Sequence, residues 1–320
     1  MEKGMDSKKI TICAALLASM AVATPCFAGG GQAAGGQAAV QAGETQGRSY
    51  VSGSLRLQIP AKYDGLLVTK TLREDGMLFS VSEKASLAAA KALGMEGNIG
   101  AGWIFSIGWV DEERLHDLLC WDMSGAEVFA KDARGRYYVF YHPTDVRYFR
   151  ENNEAMQRDQ EQWSALNQWA GESVRADILR ENRGLTKESY DNSAVSMYLA
   201  RAAYHKGEKY TVSTTAHGPV DPAGMDASPF VRRLLCNAAY EVVRDTEAPD
   251  GQYVVLNFPG DKVRFDFFLL NGKKNFVREV REDGTETLYQ AVFADQSINA
   301  SDVMQEWYDA LLASGHKGSW

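Results

Sequence analysis

Between Tyr253 and Phe293 four apolar-rich runs, Tyr253–Phe258, Val263–Leu270, Asn275–Arg281 and Thr287–Phe293, are separated by little more than the turn-forming pairs Gly260-Asp261, Asn271-Gly272 and Asp283-Gly284. Runs this short cannot build amphipathic helices, and turn pairs at this spacing join antiparallel strands. Residues 253–293 are therefore expected to form an antiparallel meander. Strand-like runs with the same punctuation occur upstream at Val51–Ile59, Leu66–Leu72, Met77–Val81 and Trp103–Val110. Glu127–Lys131 and Arg136–Tyr141 flank Asp132-Ala133-Arg134-Gly135, a further hairpin signal.

Helical patterns fall between these strands. Ser82 is placed to cap a helix Glu83–Leu93 closed by Gly94, with Glu83 in the first turn, where the helix dipole favours an acid. Asp111-Glu112-Glu113 opens a short helix to Cys120. A long helical region is expected from about Asp145 to Arg183, with Gly184 as its cap. Ser193–His205, Pro229–Tyr240 and Ser301–Ala313 complete the set, and Lys209–Ala216 reads as a strand. The expected fold is α+β, with antiparallel sheets and packed helices in two α+β units, residues 50–190 and 191–320.

The N-terminus carries Lys3, Lys8 and Lys9 against Glu2 and Asp6, then an uncharged run of 14 residues, Ile10–Ala23. A spanning helix needs about 20 residues, so this run has the length of a signal-peptide core. Pro25 breaks it, and Cys26-Phe27-Ala28 offers small residues at the −3 and −1 positions of a cleavage site. Residues 1–28 are thus read as a secretory signal peptide. Lipidation at Cys26 is disfavoured, because Ala23 and Pro25 stand where such sites want leucine and a small residue. Residues 29–49, containing Gly30-Gly31-Gln32-Ala33-Ala34 and its immediate repeat, are read as a disordered leader.

Export frames the remaining chemistry. The formal charge of −8 becomes −9 without the net +1 signal region, and no basic cluster is visible in the sequence, so nucleic acid is not an expected partner. No second apolar run reaches membrane length, so the mature chain is expected to lack a membrane span. Only Cys120 and Cys236 survive processing; both lie off the apolar stripes of their helical patterns and are candidates for one disulfide. Glu113, His116 and Cys120 would share one helix face, an arrangement compatible with part of a metal site or an activated thiol. No second ligand pair is visible to complete a metal site, and neither a metal nor another cofactor is assigned.

His142, Thr144, Asp145 and Arg147 stand at an expected strand-to-helix turn, where they could hold a carboxylate or phosphate ligand. Thr214, Thr215, His217 and Asp221 form a weaker polar loop. Trp103, Trp109 and Trp163 are expected in the core, and Arg264 with Asp266 in ion pairs on a solvent-facing sheet surface. Ser314-Gly315-His316-Lys317 and Gly100-Ala101-Gly102 resemble catalytic and phosphate-loop patterns only in isolation, without supporting motifs.

The chain is thus expected to be an exported periplasmic, cell-surface or secreted protein, non-catalytic, that binds a small molecule or an envelope protein. The alternative is an extracytoplasmic hydrolase centred on His142–Arg147 or on Glu113, His116 and Cys120; a third reading is a structural component of a surface assembly. Mass spectrometry of the protein recovered from outside its host's cytoplasm is expected to find Gly29 at the N-terminus. A lipid-modified Cys26 there would refute cleavage after Ala28.

Overall fold

The computed structural model describes residues 47–95, 100–222, 224–244, 246, 249–269 and 275–314. The expected signal peptide, most of the expected leader, Cys26, the expected turn at Asn271-Gly272 and residues 315–320 lie outside these residues.

The chain opens with a hairpin, Arg48–Ser52 (β1) and Leu55–Ile59 (β2), then a single helical turn, Ala61–Asp64 (α1). Leu67–Thr71 (β3), Met77–Glu83 (β4), Lys84–Ala92 (α2), Trp103–Val110 (β5), Glu112–Leu119 (α3), Ala126–Asp132 (β6) and Tyr137–Tyr141 (β7) follow. The 29-residue helix Asn153–Glu181 (α4) leads to the short Leu185–Lys187 (β8). Next come Ala194–Tyr204 (α5), Thr211–Thr214 (β9), Ser228–Leu235 (α6) and Ala238–Val242 (β10). The expected meander closes the chain as Tyr253–Phe258 (β11), Val263–Phe268 (β12), Asn275–Arg281 (β13) and Glu286–Phe293 (β14), before Ala300–Ala313 (α7).

The fold is α+β: among the described residues there are seven helices and three antiparallel sheets of two, six and six strands. One large sheet has the order β3-β4-β5-β7-β6-β8, the other β10-β14-β13-β12-β11-β9. No helix among the described residues is long and apolar enough to cross a membrane.

Strand alternation sends the side chains of the first large sheet into two cores. Phe79, Phe105, Ile107 and Phe140 join Leu55, Leu57 and Ile59 of β2 and Leu166, Ala170, Val174 and Ile178 of α4. Trp109 and Trp163 pack against this core half-buried. From the same sheet Val110, Val128, Tyr137 and Val139 enter a larger core with α3, α5, α6, α7 and the second large sheet, centred on Trp307, Phe265 and Phe267. Residue 191, the expected unit boundary, falls in the link between β8 and α5.

Several expected boundaries move for local reasons. Val51–Ile59 is two strands, because Gly53 adopts φ +60° and closes a two-residue turn; the first strand begins at Arg48, inside the stretch read as leader. Helix α6 stops at Leu235 instead of running to Tyr240. Asn237 takes a left-handed φ of +53° and exchanges backbone hydrogen bonds with Ser189 and Ala294, so the chain turns into β10. Asp266 does not face solvent: it is fully buried between Arg264 of its own strand and Arg278 of the next, at 3.2 and 2.8 Å.

The largest correction concerns Glu83 and the start of α4. Glu83 does not sit in an exposed first turn; it ends β4 with its side chain completely buried. Arg150, itself 4% exposed at the side chain, clasps it from both guanidinium ends, Nη1 at 2.9 Å and Nη2 at 2.8 Å. Ser86 donates to Glu83 at 2.6 Å, and Asp159 accepts from Arg150 Nε at 2.8 Å. The segment before α4 is spent on this cluster: Phe149 N–H donates to Ser86 Oγ, and Arg147 C=O accepts from Gly102 N–H. Residues 145–151 are therefore not helical, and α4 starts from Asn152, whose side chain accepts from Ala155 N–H. Gly102 is fixed by the same contacts, since a Cβ there would lie 2.8 Å from Ser86 Cβ and 2.9 Å from Glu83 O.

Burial raises the Glu83 pKa, but hydrogen bonds from Arg150 and Ser86 and the Arg150 charge outweigh it and hold the carboxyl below the ordinary range. Its stabilising effect is complete above the unfolded value of about 4.3 and is lost as pH falls through the lower folded value. Breaking a buried pair from one side costs about 3–5 kcal/mol. Arg150→Met is expected to lose that amount in urea unfolding at pH 7. Because Glu83 no longer has its partner, the variant should also show a weaker loss of stability between pH 5 and 2 than the parent protein.

Candidate functional site

Glu113, His116 and Cys120 do not form a site. Glu113 is exposed, while Cys120, the residue that ends α3, is buried in the larger core. The His116 ring lies flat on Tyr204 of α5, with centroids 3.7 Å apart and planes 5° apart, so it ties α3 to α5. Burial and the Arg232 charge lower the His116 pKa, against an opposing pull from Glu112. Among the described residues no group of three or more His, Cys, Asp or Glu side chains could hold a metal ion.

Cys120 and Cys236 are not bridged. Cys120 points into the core, whereas Cys236 caps α6 and accepts a long contact, 3.6 Å, from Asn237 Nδ2. Burial pushes the Cys120 thiol up to about 11, with Asp117 acting in the same direction; burial also raises Cys236. Neither is a poised nucleophile.

The His142–Arg147 turn divides instead of converging. His142 Nε2 lies 3.5 Å from Glu127 Oε1 on β6, and Glu127 Oε2 is 3.2 Å from Arg175 on α4. His142 and Glu127 border a cleft of about 200 Å³, also lined by Asn167 and Gly171. That is below the roughly 300–1,000 Å³ of small-molecule sites. Thr144 is exposed and caps no helix. Asp145 pairs with Arg147 Nε at 2.6 Å, and the Arg147 side chain lies over Gly100, where an added Cβ would sit 2.8 Å from Nη1. In the other polar loop, Thr214 Oγ1 accepts from the backbone N–H groups of Ala216 and His217, which makes it a turn device.

A larger cleft, about 500 Å³, opens where three connections meet: the β1–β2 turn, the β6–β7 turn and the link from α4 to β8. Arg56, Arg134, Arg136 and Arg183 line it, against the acids Asp132 and Glu181. Asp132 is already committed. Its carboxylate accepts from the backbone N–H groups of Arg134 and Arg136 at 2.9 and 3.0 Å, and from Arg136 Nε at 2.7 Å. Those bonds and the Arg136 charge overcome burial and lower its pKa. Arg136 in turn lies over the Trp109 and Tyr138 rings at 5.5 and 5.8 Å, so this pair forms a fixed wall.

Arg56, Arg134 and Arg183 have no carboxylate partner among the described residues, and all three are exposed. Asn182 sets the floor. Its side chain accepts from Arg56 N–H at 2.8 Å and donates to Arg56 O at 2.9 Å, stapling β2 to the end of α4. Three positive heads on a rigid rim can hold an anion by charge-assisted, bidentate hydrogen bonds. Sequence reading missed these residues because they lie far apart along the chain; two of them stand in an Arg-Gly pair at a turn, Arg134-Gly135 and Arg183-Gly184, and Arg56 carries no such signal.

Comparison with known protein families, curated proteins and solved structures gave no match.

The state of the cysteines is directly measurable. At pH 8 the native chain should react slowly with a thiol-specific disulfide reagent at Cys120 and Cys236. Unfolding without reductant should then expose both thiols, whereas a disulfide would leave neither titratable.

Proposed function

We propose that the protein is exported by means of residues 1–28 and acts outside the cytoplasm as a non-catalytic binding protein for an anionic molecule, held in the arginine-lined cleft. The observation that carries this reading is the set Arg56, Arg134 and Arg183, which lines one 500 Å³ cleft without carboxylate partners among the described residues. Like charges gathered at one rim repel one another, and an anion that bridges them relieves this repulsion. Arg183 follows the C-terminus of α4, where a cation is favoured by the helix dipole and is presented just beyond the last turn. The cleft volume lies in the range of small-molecule sites.

The hydrolase alternative has less support. His142 contacts Glu127, the Pro143 carbonyl and the Phe140 ring, and no hydroxyl or thiol among the described residues is bonded to it as a nucleophile would be.

Titration calorimetry of the mature protein with citrate, inorganic phosphate and galacturonate tests the reading. At least one of these anions is expected to bind. Arg134→Ala and Arg183→Ala should each weaken binding about 10- to 100-fold, the equivalent of roughly 1.5–3 kcal/mol for a hydrogen bond to a charged group. Arg233→Ala, on α6 and outside the cleft lining, should leave it unchanged. Equal affinity in all three variants would remove the cleft from consideration.

A further inference from the structure

Resting on that reading, we infer that the bound anion is a segment of an acidic polysaccharide lying along the C-terminal half of α4, instead of a compact small molecule. The arginine cleft does not end at the rim. A second cleft, of about 960 Å³, shares Arg56 and Glu181 with it and continues beside α4 from Glu181 back to Trp169. At 1.5 Å per residue that stretch of helix is about 18 Å long. The second cleft alone reaches the upper end of the volume range of small-molecule sites, so the joined trough exceeds what one compact ligand fills.

Its charges are distributed along its length. Arg134 and Arg183 stand at one end, Arg56 at the junction and Lys62 on the far side, and none of the four has a carboxylate partner among the described residues. Of the acids in the trough, Asp132 is offset by Arg136 at 2.6 Å, while Asp177 and Glu181 share Arg180 at 2.8 and 3.5 Å, so the lining cations still outnumber the acids. A further cation beyond the arginine rim, Lys62, matches an anionic group that recurs along a polymer, whereas a single compact anion would engage the rim alone.

The neutral lining decides which polymer. Gln58 and Ser173 supply an amide and a hydroxyl between the cations, partners suited to sugar hydroxyls. A nucleic-acid strand would need exposed aromatic faces for its bases. The aromatic residues lining the two clefts are Tyr138, 1% exposed, and Trp169, 7% exposed, and neither offers such a face.

The test is calorimetric titration of the mature protein with galacturonate chains of one, two, four and six units, alongside citrate, polyphosphate and a single-stranded DNA oligonucleotide. Affinity is expected to rise at least tenfold from the dimer to the hexamer and to fall as salt is raised. Lys62→Glu should abolish the gain with length and leave monomer binding unchanged; Arg183→Glu should weaken every length. A hexamer that binds no tighter than the dimer, or a length gain that survives Lys62→Glu, overturns the extended site while the anion cleft stands. Citrate binding with no galacturonate binding at any length has the same meaning. Tighter, Lys62-dependent binding of polyphosphate or DNA overturns the assignment to a polysaccharide, and failure of every anion overturns both the trough and the cleft.

Discussion

The ion pair between Glu83 and Arg150 is the interaction on which the rest of the first half depends. A carboxylate with no solvent exposure is tolerable only with its charge matched and its lone pairs filled, and Arg150, Ser86 and Gln162 together do this. The requirement spreads outward. Arg150 can reach Glu83 only if the chain after β7 is drawn across the end of β4, which places Asn152 as the cap of α4. Asp159, nearly two turns into α4, shares Arg150 and is held at about 2 by hydrogen bonds from Arg158 and Arg150. The pair therefore sets where α4 begins. The apolar stripe Leu166, Ala170, Val174 and Ile178 sets how it lies on the sheet. Together these decide where its far end delivers Asn182 and Arg183.

Strands bounded by local turn chemistry were legible from the sequence. Trp103–Val110 matches β5 at both ends, and the Asp132–Gly135 turn joins β6 to β7 as its residues predict, because Asp132 and Gly135 act within four residues of one another. Helix limits set by distant partners were not legible. Nothing near Thr144 or Asp145 in sequence forbids a helix there; the prohibition comes from Gly102 and Ser86, which take the backbone groups that a helix would need. Glu83 misled for the same reason. In isolation an acid after Ser82 is a helix-start signal, and only the tertiary fold supplies the arginine that draws it inside.

The site residues divide along the same line. Helical-wheel reasoning put Cys120 on a polar face with His116, but α5 covers that face, with Tyr204 stacked on His116, and so Cys120 is buried in the larger core. For Cys236 the wheel was projected past a helix that stops at Leu235. Arg56 lies on β2, Arg134 and Arg183 belong to two separate connections, and the three carry no periodic signal. What brings them together is the end of α4 meeting two hairpin turns, a geometry that no local pattern encodes.

The second large sheet has a consequence for the order of events in folding. Strands β11 to β14 follow one another at short sequence separations and can zip as successive hairpins, each closing a small loop. Strand β10 precedes all of them yet pairs only with β14, with Ala238 opposite Phe293. Until β14 is in place, β10 has no neighbour, and the left-handed Asn237 that aims it has lost one of its backbone partners, Ala294. The sheet therefore completes from its C-terminal side, and a chain emerging N-terminus first holds β10 in waiting until nearly all of its length is available.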